Sequence, residues 1–270
     1  MRALLAAGAL LLAGCAAAPA PRPVAEAPPA PASEGAGQPS WSDSVRWVAA
    51  SAEYRAALHQ AFQLATERIE RLAAGRGAGT WAIVVDADET IISNVRYEME
   101  REPLGEGFSE ETWREWVERR RAPPLPDAVA FLRRVGELGG RIAVVSNRLE
   151  SVRRATAENL ERFDVPFDFL LLKPDGGSSA KEPRWEAVEA GTADPSLPPL
   201  EVLLWVGDNI RDFPGLDQGT VRRDPALLEP FGDRFILLPN PLYGSWEREP
   251  VPEEPFLDPA TGAAAAATVW

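Results

Sequence analysis

The chain has 270 residues, with 41 acidic and 28 basic side chains, a net charge of −13. That balance argues against nucleic acid as a partner, because binding a phosphate backbone rests on an excess of Lys and Arg. One Cys and one His leave no intramolecular disulfide, no Cys-based metal site and no His dyad for catalysis.

Residues 1–14 hold one Arg and then an apolar run from Ala3 to Ala13, too short to span a bilayer but the length of a signal-peptide core. The run ends in Leu12-Ala13-Gly14-Cys15, which resembles the lipobox of bacterial lipoproteins, where the Cys is lipidated and becomes the first residue. The alternative is an ordinary secretory signal with an incidental Cys. Cleavage after Gly14 removes one Arg and takes the net charge to −14. Residues 16–40 contain 9 Ala and 7 Pro, which bury too little apolar surface to fold, so 15–40 reads as an anchored tether. A folded domain is expected over 41–247, and a Pro- and Ala-rich low-complexity tail over 248–270.

From Asp43 to Ala74, apolar residues recur with helical period, and Gly75 stops them: a long helix or a pair. This segment holds His59, expected as a surface or interhelical residue. Trp81–Val85 is an unbroken apolar run, read as a strand buried on both faces of a parallel sheet. A helix starts at Ser109, with Glu110 and Glu111 at the positive end of its dipole. Another runs from Pro126-Asp127 to Gly139-Gly140. The second strand is Arg141 to Val145, delivering Ser146-Asn147-Arg148, and a helix follows to Phe163. Phe169–Leu172, Val202–Val206 and Phe235–Leu238 complete five strands. Strands separated by helices imply parallel pairing with right-handed crossovers, an α/β fold.

Two carboxylates, Asp86 and Asp88, follow the first strand at once, where open α/β sheets place their ligands. Their mutual repulsion calls for positive charge, and a divalent cation fits. A single Asp there would only start a turn. The fourth strand, however, delivers Gly207-Asp208-Asn209, with Asp212 one helical turn on. The basic residues comprise 26 Arg and only two Lys, Lys173 and Lys181. Phosphomonoester hydrolysis needs a nucleophile, a proton for the leaving oxygen and positive charge around the phosphoryl group, and each part is present.

The blocks DADETIISN, WREWVERRRAPPLPDAVAF, VVSNR, SSAKEPR, VGDNIRDF and FGDRFILLPNPLYGSWE, in that order, resemble the class C acid phosphatases. These are bacterial surface lipoproteins acting as 5′-nucleotidases, within the haloacid dehalogenase superfamily. The resemblance implies a Rossmann-like parallel sheet of that superfamily's type, with a smaller helical accessory part over 41–75 and 95–125. It implies Asp86 as nucleophile, Asp88 as general acid/base, Ser146 donating to a phosphoryl oxygen, and Lys181 pairing with nucleophile and phosphate; Lys173 is the rival. One Mg²⁺ would be held by Asp86, Asp88 through its carbonyl, and Asp208, with Asp212 completing the four-Asp signature. Asn147 and Arg148 are candidate substrate-binding residues, and Phe108, Trp113 and Tyr243 candidate base-stacking aromatics. The expected partners are a small phosphomonoester, by resemblance a nucleotide, and the membrane through Cys15, in the outer membrane of a Gram-negative bacterium; a homodimer is compatible. Val95 to Glu100 departs from the family's usual run after the first motif, which leaves substrate preference open. A surface binding protein without turnover, and a phosphatase or phosphotransferase for other small phosphoesters, stay as alternatives.

Overall fold

The computed structural model describes residues 40–251; the expected signal peptide, Cys15, nearly all of the tether and most of the tail lie outside those residues. Among the described residues no helix is long and apolar enough to cross a membrane. Five strands form one parallel sheet: β1 (Trp81–Val85), β2 (Arg141–Leu149), β3 (Phe169–Lys173), β4 (Glu201–Gly207) and β5 (Phe235–Leu237), in the order β3-β2-β1-β4-β5. The helices are α1 (Asp43–Ala50), α2 (Ala52–Ala73), α3 (Val95–Arg101), α4 (Glu110–Glu118), α5 (Ala128–Glu137), α6 (Arg153–Arg162), α7 (Glu182–Glu189) and α8 (Gln218–Arg223).

β1 is central and wholly buried because both faces of the sheet are covered. Trp81, Ile83 and Val85 pack among residues of α2, α5 and α6, while Ala82 and Val84 face Trp185 and Val188 of α7 with Phe213. β4 carries one extra residue against β1: Ala82 pairs with Val202 but Ile83 with Leu204. The irregularity turns Leu203 and Leu204 into the same core layer before alternation resumes at Trp205. At Gly140 an added Cβ would lie 2.2 Å from the Trp81 ring, so only glycine admits that ring beside the start of β2.

The N-terminal segment is a pair of helices because Ser51 ends the first and caps the second, its hydroxyl accepting from Tyr54 N at 3.0 Å. Tyr54, Leu58, Phe62, Ala65 and Ile69 of α2 are buried in the core shared with β1, so α2 is a layer on the sheet. The smaller helical part forms around α3 and α4, where the Tyr97 and Trp113 rings meet edge to face at 5.2 Å. α1 joins it, and Trp41 Nε1 just before it donates to Met99 O at 3.1 Å.

Three features differ from the sequence reading. Helix α2, expected in the accessory part over 41–75, packs its buried face on the sheet instead, and only α1 of that segment joins the smaller helical part. β2 extends to Leu149 rather than stopping at Val145, because a register shift lets Leu149 pair with Lys173 at the end of β3. Helices α7 and α8 were not anticipated; α7 buries only Trp185 and Val188 and α8 buries nothing, so neither shows a helical stripe in sequence.

Candidate active site

In a sheet of this order the chain passes from β1 to β2 and β3 on one side and then crosses from β3 to β4 on the other side of β1. The crevice beyond the C-terminal ends of β1 and β4, where the direction reverses, is where ligands bind. Asp86 follows β1 and its N–H donates to Val206 O of β4 at 3.0 Å. Asp208 follows β4, and Ser146 lies in β2. Lys181, from the turn before α7, reaches into the same place: its Nζ is 2.6 Å from Oδ1 of both Asp86 and Asp212. Lys173 ends β3 half-buried and is not the lysine in contact with Asp86.

The turn after β4 is built to bring Asp212 back onto the strand. Asn209 caps the short 3-10 turn Ile210–Asp212, and Asn209 N donates to Asp212 Oδ2 at 2.9 Å. A Cβ at Gly207 would lie 2.4 Å from the Asp212 carboxylate, so the glycine makes room for that side chain. Asp208 is held by Thr90 Oγ1, 3.0 Å from its Oδ1, and by Asn240 Nδ2, 2.7 Å from its Oδ2.

Asp86, Asp208 and Asp212 each offer an oxygen within 4.8 Å of the others. Burial, opposed by Lys181 and reinforced by Asp212 and Asp88, pushes the Asp86 carboxyl up to about 6. Burial, with Asp212 and Asp86 beside it, holds Asp208 well above the usual carboxylate range. Although Lys181 touches Asp86 Oδ1, no donor is aligned on that buried oxygen. Clustered oxygen donors, a surplus of negative charge and one incompletely satisfied carboxylate fit a divalent cation that prefers oxygen ligands.

Asp88 stands apart from the cluster. Its carboxylate accepts from Arg148 Nη2 at 2.7 Å and from Arg148 Nε at 3.0 and 3.1 Å, and Asn94 Nδ2 donates to Oδ1 at 2.8 Å. Its side chain is therefore not among the grouped metal-capable acids, and Arg148, expected at the substrate, faces Asp88 from within the protein. Burial works against the Arg148 charge, but Asp88 more than restores it and the net shift is upward.

Behind Asp88 lies Glu89, fully buried, with φ of 52°. It accepts from the Asn94 N–H at 2.5 Å, from Asn94 Nδ2 at 3.1 Å and from the Tyr243 hydroxyl. Burial and the charge of Asp88 push the Glu89 carboxyl up to about 7 against those donors. Tyr243 is thus tied to the loop after β1 through its hydroxyl.

Ser146 is buried and its Oγ accepts from Arg148 N at 3.2 Å. Asn147 is exposed, and its Oδ1 accepts from Arg184 Nη2 at 2.7 Å. Arg184 also donates to Ser146 O and to Ala180 O, joining the end of β2 to the turn that carries Lys181. Trp113 lies 5.7 Å from the Arg148 guanidinium and 6.1 Å from the ring of Phe108, which is 67% exposed. Asn94, Glu89, Thr90, Arg184 and Asn240 were given no role from sequence. Each lies inside a block already singled out, but each also has a partner distant in the chain: Trp116 and Arg148 for Asn94, Tyr243 for Glu89, Asp208 for Thr90 and Asn240, and Ser146 for Arg184.

Residues 26–246 match the family described as HAD superfamily, subfamily IIIB (Acid phosphatase). Among solved structures, the class C acid phosphatase from Bacillus anthracis with tungstate bound is 29% identical, with a TM-score of 0.67 covering 76% of this chain and 85% of that one. A second structure of that enzyme gives 30% identity and a TM-score of 0.66 over the same shares. Acid phosphatase 1 of Solanum lycopersicum is 32% identical over 84 residues, 31% of this chain and 32% of that protein. The stem 28 kDa glycoprotein of Glycine max is 25% identical over 168 residues, 59% of this chain and 58% of that protein. The chain thus spans about a third and somewhat over half of these two curated relatives. With a family match across most of its length and a sheet that superposes on a class C enzyme, the chain belongs to the acid phosphatases of subfamily IIIB in the HAD superfamily.

Proposed function

We propose that the chain is a Mg²⁺-dependent phosphomonoesterase that works through an aspartyl-phosphate on Asp86 and takes nucleoside 5′-monophosphates. The observation that carries this reading is Asp86 at the end of the central strand, in ion contact with Lys181 and grouped with Asp208 and Asp212. An oxygen of Asp86 attacks phosphorus as the bond to the leaving oxygen breaks, and Asp88 gives that oxygen its proton. Asp88 then takes a proton from the water whose oxygen attacks the aspartyl-phosphate, releasing inorganic phosphate and restoring Asp86. Lys181 holds the nucleophile and offsets phosphoryl charge, and Ser146 donates to a phosphoryl oxygen. Asp86, Asp208 and the carbonyl of Asp88 would hold Mg²⁺, with Asp212 beside them. When bound, the cation neutralises charge on the phosphoryl oxygens.

Phe108, Trp113 and Tyr243 are the aromatic side chains offered to a base; the contact between Phe108 and Trp113 and the tie of Tyr243 to the loop after β1 support that role. Lipid attachment through Cys15, placing the domain at an outer membrane, belongs to the same reading. A purified soluble form assayed on nucleoside monophosphates, sugar phosphates and aryl phosphates, with and without Mg²⁺, tests it. The expected result is Mg²⁺-dependent phosphate release with the highest kcat/KM on 5′-nucleotides. Full activity after exhaustive chelation, or no preference for the nucleoside, would contradict the corresponding part.

A further inference from the structure

The two oxygens of Asp88 are not equivalent. Oδ1 faces three N–H donors: Arg148 Nη2 at 2.7 Å, Asn94 Nδ2 at 2.8 Å and Arg148 Nε at 3.0 Å. Oδ2 receives only the other branch of the forked Nε contact, at 3.1 Å. A carboxylate oxygen has two lone pairs, so Oδ1 is saturated and Oδ2 is not.

The donors are themselves fixed. Asn94 is fully buried; its Nδ2 faces Asp88 and Glu89, while its Oδ1 accepts from Trp116 Nε1 at 2.8 Å and Arg148 Nη2 at 3.2 Å. Those opposite partners leave one orientation of the amide. Arg148 is further held by Thr156 Oγ1 at 3.5 Å and by the Trp113 ring. The ion pair is sealed on the side of the base, where the side chain is 1% exposed, and open on the side of the acid, at 14%.

From this asymmetry we infer that Arg148 and Asn94 are positioning residues that lock Oδ1 of Asp88 and leave Oδ2 as the atom that carries the catalytic proton. The inference rests on Asp88 being the general acid/base proposed above. In the first step Oδ2 passes its proton to the leaving oxygen as that oxygen separates from phosphorus. In the second, Oδ2 takes a proton from the attacking water. The forked guanidinium and the amide fix the carboxylate in one orientation, in which the same oxygen can serve both steps.

The test is a series of phosphomonoesters running from 2,4-dinitrophenyl phosphate to alkyl phosphates, read as kcat/KM in Mg²⁺. It compares the wild type with Asp88→Asn, Arg148→Ala, Asn94→Ala and the Asp88→Asn/Arg148→Ala pair. A leaving group that departs unaided needs no proton, so a misplaced acid shows as a loss that grows with leaving-group basicity. Arg148→Ala and Asn94→Ala should each lose on the order of 10²-fold on alkyl phosphates and less than about threefold on the dinitrophenyl ester. In the Asp88→Asn background, removing Arg148 should cost less than about threefold more, because nothing is left to position. Added guanidinium should recover part of the alkyl activity of Arg148→Ala. Equal losses across the series, or losses that multiply in the Asp88→Asn background, would make both residues merely structural and overturn the inference. A flat series for Asp88→Asn itself would instead remove Asp88 as the acid, and the inference with it. Should Arg148→Ala fail to fold, Asn94→Ala and Trp116→Phe, which frees the far side of the amide, carry the same comparison.

Discussion

Lys181 Nζ sits 2.6 Å from Oδ1 of both Asp86 and Asp212, so one buried ammonium ties the residue after β1 to the turn after β4. Two acids around it hold its charge: the Lys181 pKa is moved upward despite burial, by Asp212 and Asp86. Lys181→Ala should lower kcat by roughly 10²-fold or more, while Lys173→Ala should stay within about threefold of wild type. Asp86→Asn should cost several orders of magnitude with the fold intact. Retention of more than about a tenth of wild-type turnover, a change of only about 1.4 kcal/mol, would remove Asp86 as nucleophile.

Cation binding should depend on pH through Asp86. Burial raises its carboxyl to about 6, so a proton and the metal compete for the same oxygens as the pH falls through that value. The apparent Mg²⁺ affinity, measured by calorimetry on the purified protein, should weaken by at least roughly tenfold per pH unit below about 6, because Asp86 gives up a proton on binding and Asp208, also raised by burial, adds to the dependence. Equal affinity at pH 5 and pH 7 would count against Asp86 as a ligand.

Glu89 should make the metal-free protein less stable at high pH. Its carboxyl titrates near 7 when folded against an ordinary 4.5, so the folded state binds the proton more tightly between those values. Stability contributed by this proton is present below about 4.5 and is lost as pH rises through about 7. The shift corresponds to about 3 kcal/mol. Urea unfolding in a chelator at pH 5 and pH 8 should show Glu89→Gln losing less stability between the two than wild type, by an amount of that order. Parallel losses would show that Glu89 does not carry the effect.

Tyr243→Ala should raise KM for a nucleoside 5′-monophosphate by about tenfold and leave a small aryl phosphate much less affected, as expected when only binding to a base is removed. Tyr243→Phe keeps the ring and removes the hydroxyl that donates to Glu89, so it should retain nucleotide KM more closely. Equal losses of Tyr243→Ala on both substrates would assign the ring to the fold.

Cys15→Ser should release the protein from membranes. Each buried methylene contributes roughly 0.8 kcal/mol, so two or more acyl chains anchor stably and none leaves nothing to hold the domain. A Cys15→Ser protein that still sediments with membranes would rule the lipid anchor out.

What the sequence determined by itself was local. A buried strand is legible in five apolar residues, and Asp86 and Asp88 follow it without a gap, so strand, turn and acids could be read together. Asp208 and Asp212 were legible for the same reason after β4, and family membership followed from the ordered blocks. Tertiary structure decided which lysine meets Asp86, because Lys181 is 95 residues from it in sequence and no local pattern encodes that reach. It also decided that Arg148, 60 residues from Asp88, turns inward to grip that acid rather than outward to substrate, and that Asn94 is the hub behind both. A side chain's chemistry is written in its letter, but its partner is chosen by the packing of elements that are far apart in the chain.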